Sequence, residues 1–408
     1  MIREQLKEAK KACRFMQNVK PEVKNKALKN ISEALIQKSE LIIQENQKDI
    51  AEAKNNGIKE SMVDRLLLNK ERIEAMAKDI LKVIDLQDPI GTLVREIKRP
   101  NGLVIQQIRI PLGVIGVIYE SRPNVTVDIA SLCIKTNNVC VLKGGKEAIH
   151  SNRILVQIIN EAIQDVLPAH TVTLIETKKR EETLDLIQAH DNVDVIIPRG
   201  SAGLIQYVVK NATVPVIETG AGICHLYVDQ EANLDMALEI AKNAKIQRPS
   251  VCNAIETILV HQKVAPEFLP KLQEIFKNVQ IYGEKTRKII DCLEATEKNY
   301  ATEYDDYICN IKVVDDIEEA IEHIYNYSTK HSESIITENK ETAKYFMESL
   351  DSACVYHNAS TRFSDGGQFG FGAEVGISTQ KLHARGPLGL QEITSTKYMI
   401  YGNGQVRS

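Results

Sequence analysis

The sequence predicts an α/β protein built on a parallel sheet, with a second α/β lobe later in the chain. Between Gly113 and Asp229, short apolar runs alternate with helical stretches, which is typical of parallel strands joined by crossover helices. The segment from 230 to about 357 repeats the alternation less regularly. Its elements include a helix near Leu234 to Lys245, the strand "AIETILVH" and a helix near Ile317 to Tyr327. A chain of 408 residues has room for both lobes at about 100 to 200 residues per domain.

The first part of the chain has the period of helices. From Ile2 to about Leu86, apolar residues recur at helical spacing, which predicts three or four helices. One such series is Ala27, Leu28, Ile31 and Leu35. A β-rich segment, "LVREIKRPNGLVIQQIRIPLG", follows, and its Asn101-Gly102 pair predicts a hairpin.

The predicted parallel sheet consists of apolar runs that suit strands buried on both faces. These runs are "GVIGVIYE", "NNVCVLKG", "TVTLIE", "VDVIIPRG", "PVIETG" and "CHLYVD". The stretch "SNRILVQIINEAIQDVL" predicts a crossover helix, and Pro168 follows its end. Sheets of this kind bind ligands at the carboxyl ends of their strands. A Gly-rich segment, "STRFSDGGQFGFGAEVGIST", and the strand-like "EITSTKYMIYG" complete the chain.

Composition argues against several classes of partner. The net charge is -4 and Lys and Arg are scattered, so we expect no nucleic-acid partner. The N-terminal stretch "MIREQLKEAKKACRFMQNVK" lacks the apolar core of a signal peptide. No window approaches the roughly 18 apolar residues of a membrane span, so we expect no membrane association. The eight cysteines are dispersed without a Cys-x-x-Cys pair, which argues against a metal site and a disulfide framework and favours a cytoplasmic location.

Two strand-to-helix turns have the features of anion sites. The first contains Lys143, Gly144, Gly145 and Lys146, and the second contains Arg199, Gly200 and Ser201. Glycine lets backbone amides approach a ligand, and a helix N-terminus favours a bound anion. Either turn alone could be an ordinary helix start. Two of them in one parallel sheet predict a nucleotide held across the strand ends.

Other polar side chains follow buried strands. Arg122 and Asn124 flank Pro123, which pushes its neighbour toward extended geometry. The charge and the amide could bind an anion or donate to an oxyanion, or they could form a surface turn. Glu218, in "IETGAG", could be a base, a ribose ligand or a cap.

Cys252, in "QRPSVCNAIET", is the candidate nucleophile. A free cysteine is more often a buried packing residue, and that alternative stays open for Cys252. Arg248 lies four residues upstream, and a nearby cation favours the nucleophilic thiolate. No histidine is close in sequence, although His225 could be close in space.

The order of these motifs resembles the aldehyde dehydrogenase superfamily from about residue 110 to the C-terminus. The motifs that carry this resemblance are "PLGVIGVIYESRPN", "VLKGGKEA", "PRGSAG", "IETGAG", "PSVCNA" and "GLQEITSTKY". Within it, "ESRPNVT", "LKGGKEA", "ETGAGICHLYVD" and "FGFGAEVGISTQKLHARGP" resemble more closely the gamma-glutamyl phosphate reductase family, also called glutamate-5-semialdehyde dehydrogenase. The closer resemblance spans essentially the whole chain.

The resemblance implies NADPH-dependent reduction of L-glutamyl 5-phosphate to L-glutamate 5-semialdehyde, the second step of proline biosynthesis. Cys252 would attack the acyl phosphate, expel phosphate and hold the glutamyl group as a thioester. An NAD-dependent dehydrogenase that oxidises aldehydes is the alternative in the same superfamily. A non-catalytic scaffold is the alternative outside enzymes.

The resemblance also implies roles for the other candidates. Lys143 would reach the adenosine ribose and Lys146 would favour NADPH by charge attraction. The remaining cofactor contacts would come from Gly144, Gly145, Gly200, Ser201 and Glu218. An ungapped alignment places Arg122 where the superfamily has the asparagine that polarises the carbonyl, with Asn124 two residues later. Either a cation or an amide could serve, and we favour Asn124 for that role. Arg122, His225 and Arg248 are then the expected substrate ligands.

An aldehyde dehydrogenase-like fold would have a Rossmann-type cofactor domain, a second α/β catalytic domain and a small β oligomerisation flap. The implied bounds are 1–91 and 112–220 for the cofactor domain, 221–385 for the catalytic domain, and 92–111 with 386–408 for the flap. A homo-oligomer is expected. A glutamate kinase that supplies the labile acyl phosphate is the candidate protein partner.

Overall fold

The computed structural model describes residues 2–58, 60–177 and 181–407. The chain folds into two compact units. Unit 1 comprises Met1–Glu218, Gly370–Gly376 and Leu388–Ser408, and unit 2 comprises Thr219–Phe369 and Ile377–Pro387. In the described part of the chain, no helix combines the length and the apolar character that crossing a membrane requires.

Unit 1 begins with a helical segment that is divided more finely than predicted. Its helices are α1 (Ile2–Met16), α2 (Pro21–Gln37), α3 (Ser39–Asn55), α4 (Glu60–Leu66) and α5 (Lys70–Asp85). Pro21 starts α2, as its missing N–H and fixed φ favour, and only Lys38 separates α2 from α3. The predicted apolar series from Ala27 to Leu35 is buried. Asn69 caps α5 by accepting a hydrogen bond from the Arg72 N–H at 2.8 Å.

The strands of unit 1 form two sheets. They are β1 (Leu93–Lys98), β2 (Val104–Pro111), β3 (Val114–Tyr119), β4 (Val139–Gly144), β5 (Val172–Leu174), β6 (Val195–Arg199) and β16 (Thr394–Tyr401). β1, β2 and β16 form an antiparallel sheet in that order. The predicted hairpin at Asn101-Gly102 joins β1 to β2, and Gly102 adopts a φ of +89°, which glycine tolerates at no steric cost.

The second sheet of unit 1 is parallel, as predicted, with the order β5-β4-β3-β6. Its crossover helices are α6 (Asn124–Lys135), α7 (Ile149–Ile163), α8 (Glu181–Ile187) and α9 (Ala202–Asn211). Every residue of β3 is buried, which explains its uninterrupted apolar run. The run "PVIETG" forms only one parallel bridge, between Ile196 and Val216, so the full strand predicted there is wrong.

Unit 2 is built on a larger parallel sheet. Its strands are β7 (Cys224–Val228), β8 (Ile255–His261), β9 (Gln280–Gly283), β10 (Leu293–Glu294), β11 (Ile308–Val314), β12 (Ser332–Ile336) and β13 (Cys354–His357). Their order is β10-β9-β11-β8-β7-β12-β13, with parallel pairing throughout. The two-residue strands β14 (Ile377–Ser378) and β15 (Gly386–Pro387) pair with each other.

The helices of unit 2 cover the sheet. They are α10 (Leu234–Ile246), α11 (Ala265–Ile275), α12 (Glu297–Tyr300), α13 (Ile317–Tyr327) and α14 (Lys340–Ser349). One apolar cluster packs α10 and α11 against β7, β8 and β11. A second cluster includes residues of α13 and α14 with Tyr227, Leu259 and Ile335 of the sheet. The predicted α10, β8 and α13 are confirmed.

Candidate active site

In unit 1, the predicted anion turn after β4 carries two lysines in different settings. Lys143 is half-buried, and its Nζ donates to the Gly144 carbonyl at 3.3 Å. Burial lowers the pKa of Lys143, and the carboxylates of Glu147 and Glu120 act in the opposite direction. Lys146 is exposed at the start of a 3-10 turn, so its charge is available to a ligand.

The glycines of these turns allow close packing around the strand ends. A Cβ added to Gly144 would overlap the side-chain amide of Asn152. A Cβ at Gly200 would lie 2.5 Å from Oε2 of Glu120, closer than side-chain atoms normally approach. Gly145, half-buried, precedes the 3-10 turn. The turns therefore have room for backbone groups and little room for larger side chains.

Carboxylates occupy the backbone amides at the ends of β3 and β6. Ser201 is the N-cap of α9, and its N–H donates to Oε2 of Glu120 at 2.9 Å. The Ser121 N–H donates to Oε1 of Glu147 at 2.7 Å. Both amides thus bind an anion supplied by the chain, which supports the expectation that these turns favour negative charge.

Asn124 and Arg122 follow β3. Asn124 is the first residue of α6, and its Nδ2 donates to Oδ2 of Asp128 at 2.9 Å. Burial raises the pKa of Asp128 to about 7, against the lowering influence of the Asn124 hydrogen bond. Arg122 and Glu218 are both half-buried, and Glu218 follows the Val216 bridge.

In unit 2, Cys252 lies in the loop between α10 and β8 and is half-buried. A buried ion pair closes the base of this loop, with Nζ of Lys245 2.7 Å from Oε2 of Glu256. Burial raises the pKa of Glu256 to about 8, although Lys245 acts to lower it. The loop therefore starts and ends on paired, buried side chains.

The main chain of Cys252 is held by the segment that leads into β7. A Cβ added to Gly222 would overlap the Cys252 carbonyl oxygen and lie 2.7 Å from its Cα. The Gly222 N–H donates to Oε1 of Glu303 at 2.7 Å. The Cys224 thiol donates to the Cys252 carbonyl at 3.2 Å. Thr361 Oγ1 donates to the next carbonyl, that of Asn253, at 2.6 Å. These contacts fix the loop backbone.

An arginine that is remote in sequence supplies positive charge near the thiol. Burial lowers the pKa of the Arg362 guanidinium, while the charges of Asp365 and Cys252 act in the opposite direction. Nε of Arg362 donates to Oε1 of Gln247 at 3.2 Å, so the guanidinium is tied to the same loop. Arg248 is exposed. Because arginine stays protonated in proteins, Arg362 favours a thiolate at Cys252.

The chain is similar to known proteins along most of its length. Residues 1–291 match the model of the aldehyde dehydrogenase family. The chain belongs to the aldehyde dehydrogenase family. It is 53% identical to the gamma-glutamyl phosphate reductase of Halothermothrix orenii, over 99% of this chain and 98% of the relative. It is 53% identical to that of Clostridium novyi, over 98% and 97%.

Solved structures show the same likeness in three dimensions. The crystal structure of gamma-glutamyl phosphate reductase from Thermotoga maritima superposes with a TM-score of 0.96 at 48% identity, covering 99% of both chains. An acetylating aldehyde dehydrogenase from Geobacillus thermoglucosidasius superposes with a TM-score of 0.75 at 16% identity. The second likeness concerns the fold alone. The predicted aldehyde dehydrogenase-like fold and the closer resemblance are confirmed.

Family membership implies a nicotinamide cofactor, and the residues of unit 1 fit such a group. The Ser201 N–H already binds a carboxylate at the start of α9, and a cofactor diphosphate would bring the same charge. The absence of side chains at Gly144 and Gly200 lets Asn152 and Glu120 pack against the two turns. Among the described residues, no group of three or more His, Cys, Asp and Glu side chains could hold a metal ion.

The predicted substrate contact of His225 is not supported by the structure. The side chain is 0% exposed, and its Nδ1 lies 3.1 Å from Oε2 of the buried Glu333. The ring packs edge-on against His323, with centroids 5.5 Å apart. A side chain enclosed on these sides belongs to the core, because β7 runs through the middle of the sheet.

Sequence reasoning missed Arg362 and Gly222. Arg362 stands in "STRFSDGG", far from Cys252 along the chain, and no local pattern connects the two. Gly222 lies in the quoted "ETGAGICHLYVD", where nothing in the sequence shows which of the two glycines touches the thiol loop. Gly222 meets the loop because the sheet places β7 beside β8, and Arg362 meets it because the turn that follows β13 packs against α10.

Proposed function

We propose that this chain catalyses the reduction of L-glutamyl 5-phosphate to L-glutamate 5-semialdehyde with release of phosphate, the second step of proline biosynthesis. The observation that carries the proposal is the half-buried Cys252, held by its backbone in a chain that is 53% identical to named gamma-glutamyl phosphate reductases. Identity at this level over nearly the whole chain favours a shared substrate as well as a shared fold.

The thiol of Cys252 does the covalent chemistry. As a thiolate, favoured by Arg362, it attacks the acyl carbon of the substrate. The bond to the phosphate oxygen breaks, inorganic phosphate leaves, and a thioester remains on Cys252. The contacts of Gly222 and Cys224 with the Cys252 carbonyl keep the loop in one position for this attack.

The cofactor is proposed to be NADPH and to bind unit 1. Bound NADPH supplies the hydride that reduces the thioester to the semialdehyde. Lys143 is assigned to the adenosine ribose, and the backbone of Gly200 and Ser201 to the diphosphate. Lys146, which is exposed, is assigned to the 2′-phosphate by charge attraction. Gly144, Gly145 and Glu218 keep their assignment as further cofactor contacts.

The roles of the remaining side chains stay predictions. Asn124 is assigned to polarise the substrate carbonyl. Arg122 and Arg248 are assigned to the phosphate or carboxylate of the substrate. Replacing Asn124 with alanine should lower kcat by about 100-fold or more, whereas loss of Arg122 should mainly raise KM.

The decisive experiment measures the reverse reaction. The enzyme with glutamate semialdehyde should reduce NADP only when phosphate or arsenate is present. One of these anions must attack the thioester to release the acyl group from Cys252. Equal turnover without either anion would instead support the alternative, an oxidising dehydrogenase that releases the free acid. No turnover under any condition would support a scaffold.

A second experiment tests the cofactor. Lys146→Glu should raise the KM for NADPH by about tenfold, a loss of about 1.4 kcal/mol, and should change the KM for NADH much less. Lys146→Gln removes the attraction without adding repulsion, so its KM for NADPH should lie between those of the wild type and Lys146→Glu. An equal change in the KM for both cofactors would show that Lys146 does not interact with the 2′-phosphate.

The sheet of β1, β2 and β16 is proposed as an oligomerisation flap, with bounds 92–111 and 386–408 as predicted. It exposes apolar side chains, including Leu93 at 54%, Tyr398 at 60% and Ile400 at 61%. Exposed apolar groups on one small sheet are typical of an association surface. Sedimentation should show a homo-oligomer that Ile400→Lys dissociates. A glutamate kinase partner stays a prediction.

A further inference from the structure

A second thiol lies beside the loop of the proposed nucleophile, and the proposed reaction gives its sulfur no chemical step. Cys224 is the first residue of β7 and is 0% exposed. Its Sγ donates to the Cys252 carbonyl oxygen at 3.2 Å. Two chain segments therefore bring a buried thiol against the backbone of a half-buried one.

The contact brings the two side chains within reach of each other. A carbonyl oxygen and the Cα of its own residue are about 2.4 Å apart, so Sγ of Cys224 lies within about 5.6 Å of the Cys252 Cα. The Cys252 Sγ is two bonds from that Cα, and joined sulfurs are about 2.05 Å apart. Rotation of the Cys252 side chain about its Cα–Cβ bond, with a small adjustment of the Cys224 side chain, would bring the sulfurs to bonding distance.

The two thiols differ in how readily an oxidant reaches them. Cys252 and Cys292 are half-buried, whereas the six other cysteines are buried. Arg362 favours the thiolate of Cys252, which is the form that peroxides oxidise. Burial, followed by the charges of Glu333 and Cys252, raises the pKa of Cys224 well above its usual range, so Cys224 stays a protonated thiol. Peroxide should therefore attack Cys252 first.

We propose that Cys224 is a resolving thiol, which converts peroxide-oxidised Cys252 into a reducible disulfide before further oxygen can be added. The proposal rests on the proposed function only in taking Cys252 as the reactive thiol. Cys224 would thereby protect the nucleophile, because oxidation of Cys252 to a sulfinic or sulfonic acid would inactivate it.

The chemistry balances with hydrogen peroxide as the oxidant. The Cys252 thiolate attacks one peroxide oxygen, the O–O bond breaks, and a sulfenic acid forms while hydroxide leaves and takes up a proton. The Cys224 sulfur then attacks the Cys252 sulfur and breaks its S–O bond. The hydroxyl and the Cys224 proton leave as a second water. Nδ1 of His331, 3.6 Å from the Cys224 sulfur, can accept that proton during the attack.

The experiment follows the fate of the sulfur atoms in the full chain. Wild type, Cys224→Ser and Cys292→Ser are treated with a few equivalents of hydrogen peroxide, blocked with an alkylating agent and mapped by mass spectrometry. Wild type and Cys292→Ser should yield a peptide pair linked by Cys224 and Cys252, which dithiothreitol cleaves. Cys224→Ser should instead carry sulfinic acid at Cys252, with at least a fivefold larger fraction that dithiothreitol does not restore.

The opposite pattern would overturn the proposal. Sulfinic acid at Cys252 in wild type without a Cys224-linked peptide, or a disulfide to another cysteine, excludes a resolving role. If Cys224→Ser fails to fold, the wild-type map decides alone, and Cys224→Ala provides the second variant. The linked peptide is measured without reference to turnover, whereas the proposed function is tested on untreated enzyme, so the two failures are distinguishable.

Discussion

The two parallel sheets of this protein use opposite ends of their strands. In unit 1, the candidate cofactor groups follow the carboxyl ends of β3, β4 and β6, where helices begin and amides point outward. In unit 2, Cys252 precedes β8 and Cys224 begins β7, so the thiol lies at the amino end. The rule that ligands bind at the carboxyl ends of parallel strands therefore locates the candidate anion site of unit 1. It does not locate the candidate nucleophile of unit 2.

The difference reflects what each site must do. The candidate cofactor groups in unit 1 are side chains and amides, and two of these amides donate to the carboxylates of Glu120 and Glu147. The loop that carries the thiol in unit 2 is held through its backbone, by close contact with Gly222 and by a hydrogen bond from the Thr361 side chain. A ligand that comes and goes needs replaceable partners, whereas a nucleophile needs a fixed position.

The largest expected effect is loss of the nucleophile. Cys252→Ser should lower kcat by about 1000-fold or more, because a serine hydroxyl without a base is a poor nucleophile. Cys292→Ser, the other half-buried cysteine, should retain activity. The measurement is NADPH oxidation with glutamyl phosphate. Substantial activity in Cys252→Ser would mean that the amino end of the unit 2 sheet is not the reactive end.

Next comes the backbone contact that fixes the thiol loop. Gly222→Ala places a Cβ where the Cys252 carbonyl lies, so the loop must shift, and a displacement of about 1 Å can cost about 100-fold in rate. Gly203→Ala in α9 is the matched control, since nothing lies within 4 Å of its added Cβ. It should leave activity intact and raise stability by up to about 1 kcal/mol. Similar rates for the two variants would show that the unit 2 loop is not held rigidly.

A smaller effect tests whether the partners in unit 1 are replaceable. Glu120→Gln removes the carboxylate that accepts from the Ser201 N–H, so NADPH should bind a few-fold more tightly, by about 1 kcal/mol at most. Fluorescence titration with NADPH measures this, with Glu33→Gln on α2 as the control. Weaker binding in Glu120→Gln would instead make Glu120 a ligand of the cofactor.

The last effect concerns the pH dependence of stability and leaves activity aside. The pKa of Asp128 is raised from 3.8 to about 7 in the folded chain, so between these values the folded state holds a proton that the unfolded state has lost. Stability should therefore fall as pH rises from about 4 to about 7 and level off above it. Asp128→Asn should lack this part of the slope. Urea unfolding at several pH values checks it, and parallel pH profiles for both proteins would contradict it.

Local patterns predicted most of the fold. The buried runs of β3 and β4, the hairpin at Asn101-Gly102 and the period of α10 each depend on residues close in sequence. The prediction failed at "PVIETG", where apolar composition resembled a strand although Val216 and Thr219 make only isolated bridges. It also failed at His225, because an imidazole gives the same sequence signal in a core as in a site.

What the sequence by itself determined is the parallel α/β architecture. It also predicted the candidate anion turns and, through family resemblance, Cys252 as the candidate nucleophile. These depend on residue type and short spacing. Only the tertiary structure decided that Arg362, Gly222 and Cys224 surround the Cys252 loop. Strand pairing of β7 with β8 and β12 unites segments that are remote along the chain, and no local period records which remote residues will meet.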